Sequence, residues 1–204
     1  MLGKRSVISI PLLLLAVLPT VSLAGSYEEG EAAFNKKDYA TAMQHWEPLA
    51  ESGDARAQLG VARLYYSGHG VLWDYKQAAV WCAKAAAQGE PEAQYILGSM
   101  YRDGTGVERD SRQAMDWLLK AATQGVPGAQ YSLGLLYFTG AAGPPNPNEA
   151  YYWLGLAATA TGSQHSQMRS TAAFARDDAG SKLSKEQISE LNRRIVEAKT
   201  AQAR

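Results

Sequence analysis

Metal, acid–base or nucleophilic chemistry needs convergent side chains, and the candidates in this chain are few and scattered. The three histidines, His45, His69 and His165, show no close metal-ligand spacing, and no serine-centred elbow motif occurs. Glu28, Glu29 and Glu31 cluster on a helical stretch, where solvation explains three carboxylates as well as acid–base work does. Asp74 with Gln77, and Asp110 with Gln113, have the N-cap and N3 spacing of a capping box, which accounts for both their type and their position. The glycine pairs Gly68-His69-Gly70 and Gly104-Thr105-Gly106 could suggest a phosphate cradle. They lack the third glycine and a preceding strand, so they read as left-handed turns closing a helix. Cys82, the single cysteine, follows Trp81 in an alanine-rich helix and reads as a small buried side chain; pairing between chains stays open. No catalytic residue, metal or cofactor is expected.

These residues belong to elements that recur every 36 positions. One copy reads Ala93-Gln94-Tyr95-Ile96-Leu97-Gly98, Tyr101, Gly104-Thr105-Gly106-Val107, Asp110, Ala114, Trp117, Ala121-Ala122 and Gln124-Gly125. A step back lands on Ala57-Gln58, Tyr65, Gly68, Gly70-Val71, Asp74, Ala78, Trp81, Ala85-Ala86 and Gln88-Gly89; a step forward lands on Ala129-Gln130, Leu133-Gly134, Tyr137, Gly140, Ala150, Trp153 and Ala157-Ala158. A period of this length with helical patterning marks a stacked array of helix pairs. Within each pair, Ala114, Trp117, Leu118 and Ala121 share one face, as do Ala93, Leu97, Met100 and Tyr101. Gly98 and Ala122 let backbones approach, and the recurring Trp and Tyr read as core. The segment 26–53 is a divergent first repeat, with Trp46 one place off and His45 at the expected position. In the fourth unit Asn146, Pro147 and Glu149 start the second helix, and the array ends near Gly162. A helix from His165 to Asp178 and a break at Ala179-Gly180-Ser181 come next. The capping box Ser184-Lys185-Glu186-Gln187 then opens a helix striped by Ile188, Leu191 and Ile195. That polar-backed helix suits a cap on an open stack, with a membrane-surface or partner helix as the alternative; Thr200 to Arg204 read as frayed.

Charge and address narrow the class further. The 204 residues carry 20 basic and 20 acidic side chains, without the basic excess that nucleic acid would demand. Lys4 and Arg5, the apolar run Val7 to Leu18 and Ser22-Leu23-Ala24 before Gly25 form the pattern of a cleaved secretory signal peptide over 1–24. Pro11 and Pro19 interrupt a run too short for a membrane anchor, which leaves no stable membrane span after cleavage. Losing Lys4 and Arg5 leaves 18 basic residues against 20 acidic, a net charge of −2. The expected organisation is a signal peptide, a repeat array over 25–162 (units of about 26–53, 54–89, 90–125 and 126–162) and capping helices over 163–204.

The motif from Ala93 to Gly125 resembles the Sel-one-like repeat, a variant of the tetratricopeptide repeat. The resemblance is strong over 54–125 and good over 127–158; departures are Ala62 in place of the motif glycine, and Ala142 and Gly143 in the last loop. It implies an all-α, right-handed superhelical solenoid of antiparallel helix pairs, and a role as an adaptor or scaffold for protein complexes, often exported in bacteria. Cysteine-rich relatives are described as β-lactamases or penicillin binders, but one cysteine cannot supply their disulfide pattern. The expected function is therefore a non-enzymatic, periplasmic or secreted module binding a protein or peptide. Its site would be the concave face of the first helices, where identity varies between copies. Arg63, Ser99 and Leu135 form one such column and Tyr66, Arg102 and Phe138 another, three residues apart on each helix, with Arg and aromatic types that favour binding hot spots. The alternatives are a cell-wall-related enzyme and a regulator of an envelope enzyme.

Overall fold

The computed structural model describes residues 26–202. The predicted signal peptide lies outside these residues. Ten α-helices and one 3₁₀ turn, with no strand, make up the described chain. They are α1 (Tyr27–Asn35), α2 (Tyr39–Glu51), α3 (Ala55–Ser67), α4 (Tyr75–Ala87), α5 (Pro91–Asp103), α6 (Ser111–Thr123), α7 (Pro127–Thr139), α8 (Pro147–Ala158), α9 (Ser166–Gly180) and α10 (Lys185–Gln202). Through α9 each helix packs on its neighbours in sequence, and α10 folds back onto α8, so the chain is a helical repeat solenoid closed at one end.

The helix boundaries follow from a few residues in each unit. Pro91, Pro127 and Pro147 start α5, α7 and α8 in the first turn, where a missing N–H leaves nothing unpaired. Gly68, Gly104 and Gly140 end α3, α5 and α7 in the left-handed conformation, with φ of 68°, 74° and 72°. Asp74 and Asp110 cap α4 and α6 as expected, each accepting from two backbone N–H groups. The second half of the expected box is absent. The N–H of Asp74, Asp110 and Asn146 instead donates to the carbonyl of Tyr65, Tyr101 or Tyr137, each at 2.9 Å. The carbonyl end of the first helix thus supplies the acceptor that a Gln or Glu side chain would have provided. Complete boxes form at Ser26–Glu29 and at Ser184–Gln187.

Packing between the two helices of a unit rests on one small–large pair. A Cβ added to Gly98 would stand 2.8 Å from Leu118 Cγ, and one on Gly134 would stand 2.7 Å from Leu154 Cγ. One unit earlier the pair is Ala62 and Cys82, both buried in one core cluster. The motif departure at Ala62 is matched by a smaller partner, which keeps the shared volume filled. The equivalent position in the first unit is Trp46. This side chain, 2% exposed, lies between Gly30 and Gly60 and donates its indole N–H to the Tyr27 carbonyl at 3.1 Å. Trp46 is therefore not a displaced copy of the recurring tryptophan; it replaces the core leucine. The recurring tryptophans themselves are less buried than expected. Trp81 and Trp117 sit at the edge of the helix layer, beneath the ammonium groups of Lys84 and Lys120 at 3.7 and 3.9 Å. Trp153 is buried and donates to Glu149 Oε2 at 3.0 Å.

Buried glutamines tie each unit to the next. The side-chain N–H groups of Gln58, Gln94 and Gln130 donate to the carbonyls of Ala50, Ala86 and Ala122 at 3.0, 3.2 and 3.3 Å. Gln88 then donates to both Gln58 Oε1 and the Gly53 carbonyl, and Gln124 repeats this with Gln94 Oε1 and Gly89. Gln58 and Gln94, 4% and 5% exposed, are satisfied on both donor and acceptor sides in this way, and Gln130 keeps the donor bond. At the far end α9 continues through Ala179 and Gly180, beyond the expected break, because both residues are buried against the core. In α10, Leu191 and Ile195 are buried as predicted. The helix runs through Thr200 to Gln202, whose side chain lies against Gly125.

Candidate functional site

The first helices of successive units, α3, α5 and α7, place their variable residues along one face. Arg63, Tyr66, Ser99 and Arg102 line a single cavity of about 460 Å³, with Phe34 of α1 and Ile96 of α5 completing its apolar wall. Ala62 and Cys82 also line it, and burial pushes the Cys82 thiol up to about 12, so the group is an inert, protonated part of the lining. Leu135 lies in an adjoining depression, which shares Arg102 and Asp103 with the first cavity and reaches Ser132 and Thr139. Phe138 lines neither. Its ring packs into the C-terminal core with the Lys182 ammonium 5.3 Å from its centre, so the strip drawn from the sequence stops one residue short of its predicted end.

The charges on this face are already paired. Arg63 reaches Glu92 of the next unit at 2.9 Å. Arg102 makes two bonds of 2.8 Å to Asp103 and donates to Ser132 Oγ at 3.0 Å. Hydrogen bonding to Arg102 holds the Asp103 carboxyl below the usual carboxylate range. Ser99 differs from all of these. Its hydroxyl oxygen is shut off from water and has no hydrogen-bond partner, alone among buried side-chain polar atoms of the described residues.

Two further variable columns were open to the reasoning that found the first two. Gly60, Ile96 and Ser132 stand three residues before Arg63, Ser99 and Leu135; Ser67, Asp103 and Thr139 stand four after. Gly60 makes room for Trp46, Ile96 lines the cavity and Ser132 holds Arg102. The helical period that joins the first two columns would have joined these as well. Phe34 carries no such signal, because it comes from the divergent first unit.

Of the residues weighed for chemistry, His69 and Cys82 line the cavity, and the other two histidines lie elsewhere. His69 stacks on Tyr39 with ring centres 4.3 Å apart, His45 lies 3.5 Å from Glu29, and His165 ends the 3₁₀ turn. Among the described residues no group of three His, Cys, Asp or Glu side chains could hold a metal ion, and no helix is long and apolar enough to cross a membrane. Next to Tyr66, however, stands an exposed apolar cluster that the sequence reading did not mark. Tyr66 packs on Tyr75 at 5.2 Å and Tyr75 on Trp73 at 5.4 Å; Trp73 is 66% and Leu72 89% exposed.

Comparison with known proteins agrees with this architecture. The Sel1 repeat profile matches residues 22–54, 55–90, 91–126 and 127–161. Among solved structures, the chain is similar to a Sel1 repeat protein from Oxalobacter formigenes, with 32% identity, 76% of this chain covered and a TM-score of 0.65. It is also similar to c5321, a protective antigen present in uropathogenic Escherichia coli strains displaying an SLR fold, with 26% identity, 84% of this chain covered and a TM-score of 0.68. The chain spans 60% of the first of these proteins and 37% of the second. No curated protein matches it.

Proposed function

Because the chain belongs to the Sel1 repeat family, whose repeats generally mediate protein–protein interaction, we propose that it is a non-enzymatic scaffold of the bacterial envelope that binds a protein or peptide segment on its first-helix face. The observation that carries this reading is convergence: Arg63, Tyr66, Ser99 and Arg102 surround one cavity. A mostly apolar cleft with a few placed polar groups is the usual form of a binding site. Export is supported by Lys4, Arg5, the run Val7 to Leu18 and the small residues before Gly25. Sel1 repeat homologues are often extracellular or periplasmic.

The test is photocrosslinking in the native envelope, with a photoreactive amino acid placed at Tyr66 or at Asp116, which is exposed on α6. Position 66 is expected to yield a discrete protein adduct that position 116 does not. Equal labelling from both positions would remove the groove from consideration. The mass of the mature chain checks export separately, with Gly25 expected as its first residue.

A further inference from the structure

The loop between α3 and α4 carries apolar groups that its fold does not require. In the next unit the same loop has Glu108, Arg109 and Ser111 where this one has Leu72, Trp73 and Tyr75. The backbone is the same in both: a left-handed glycine, a second glycine of positive φ, then an aspartate N-cap bonded to a tyrosine carbonyl. The residue ahead of the cap, Trp73 or Arg109, places its Cβ over the first glycine in each case, at 3.0 and 3.3 Å from where a Cβ on that glycine would stand. A charged residue does this structural work as well as tryptophan does. Among the described residues nothing covers Leu72 and Trp73, and a contiguous exposed apolar patch of this kind marks an interaction surface.

The chemistry of the occupant follows from the cavity beside it. Arg63 and Arg102 are each paired with a carboxylate, Glu92 and Asp103, and His69 is stacked on Tyr39, so the site offers a charged ligand little net charge. The walls are apolar, and the Ser99 hydroxyl has no partner. To use that hydroxyl, a ligand must draw it into the cavity by a change of χ1 rotamer. Guanidinium groups favour the face of an aromatic ring. Building on the binding face proposed above, we infer that the site takes an uncharged, extended peptide segment bearing a tyrosine or tryptophan. Its ring enters the cavity, its phenol O–H or indole N–H donates to Ser99 Oγ, and a neighbouring apolar residue lies on Trp73 and Tyr66.

The repeats themselves supply substitutions that the fold accommodates. Ser99→Leu copies Leu135, and Leu72→Glu with Trp73→Arg copies Glu108 and Arg109. The probe is a random peptide library displayed on phage and selected on the immobilised mature protein, followed by calorimetric titration of the enriched peptides. Enriched sequences are expected to be neutral and to share one Tyr or Trp. Ser99→Leu and the Leu72→Glu/Trp73→Arg pair should each weaken them by more than about tenfold. Enrichment of charged peptides that need Arg63 and Arg102 but ignore Ser99→Leu would overturn this inference and leave the binding face intact. Peptides indifferent to every substitution on this face would overturn both, and no enrichment at all would count against the neutral aromatic ligand.

Discussion

Gly104 and Gly106 carry different loads although they stand two residues apart. Both have positive φ, 74° and 73°, which an L side chain adopts at a cost of about 1–2 kcal/mol. A Cβ on Gly104 would meet Arg109 Cβ at 3.3 Å, a contact that slight adjustment relieves. A Cβ on Gly106 would collide with the Tyr75 carbonyl of the preceding unit, where rigid backbone has nowhere to go. Gly104→Ala should therefore cost about 1 kcal/mol and Gly106→Ala about 3 kcal/mol or more in denaturant unfolding. Equal losses would mean the loop is not seated on α4. Cys82 makes a second prediction at this scale. Its thiol is raised from 9.0 to about 12 by burial, so the unfolded chain ionises first as pH rises. The stability this group contributes is complete below pH 9 and is lost between about pH 9 and 12, at up to about 1.4 kcal/mol per pH unit. Denaturant titrations at pH 8 and 10.5 should show a steeper fall for the natural chain than for Cys82→Ala, and maleimide should label the thiol only after unfolding.

Between helices, the glutamine ladder is where a single change should do most damage. Gln94→Ala strips an acceptor from Gln124 and a donor from the Ala86 carbonyl, two bonds worth about 0.5–1.5 kcal/mol each, while both partners keep a bond to Gly89. A double-mutant cycle with Gln124→Ala should give a coupling of at least about 0.5 kcal/mol, and strict additivity would show that the two side chains act independently. The ladder also shows how far a sequence alone can be read. Period 36 identifies which residues are equivalent, and Pro, Asp and Gly mark where helices start and stop, so the helix pairs were legible almost to the residue. Equivalence does not say which residues touch. Gln94 meets Gln124 across 30 positions, a separation set by how helices stack and by nothing local. The same limit hid the Tyr101 carbonyl that replaces the glutamine half of the capping box at Asp110. It also made Trp46 look like a misplaced repeat residue when it fills a core position. Among the site residues, the spacing brings Arg63, Tyr66, Ser99 and Arg102 to one cavity; Phe138 stands outside it against the C-terminal core, and the docking of those helices is not encoded in the repeat.

For the molecule as a whole, stability is a chain of nearest-neighbour contacts, closed at one end by α10 on α8. Ile195 is 7% exposed, and its side chain occupies the space where a Cβ on Gly155 would fall. Ile195→Asp should detach α10 while α1 to α8 stay folded. Hydrogen exchange would then rise in 185–202 and not in 91–139, whereas uniform loss of protection would show that the array and its cap unfold as one unit. The glutamine joints have a consequence for how such a chain can lengthen. In the second and third units both glutamines reach back, Gln58 and Gln88 to the Ala50 and Gly53 carbonyls and Gln94 and Gln124 to the Ala86 and Gly89 carbonyls, so a gene segment encoding 90–125 could be copied in place and the new copy would bring its own joint while offering the next copy the carbonyls it needs. The fourth unit keeps the Gln130 bond to the Ala122 carbonyl but has Ala160 where Gln88 and Gln124 stand, so its joint to the third unit retains only half of this pair.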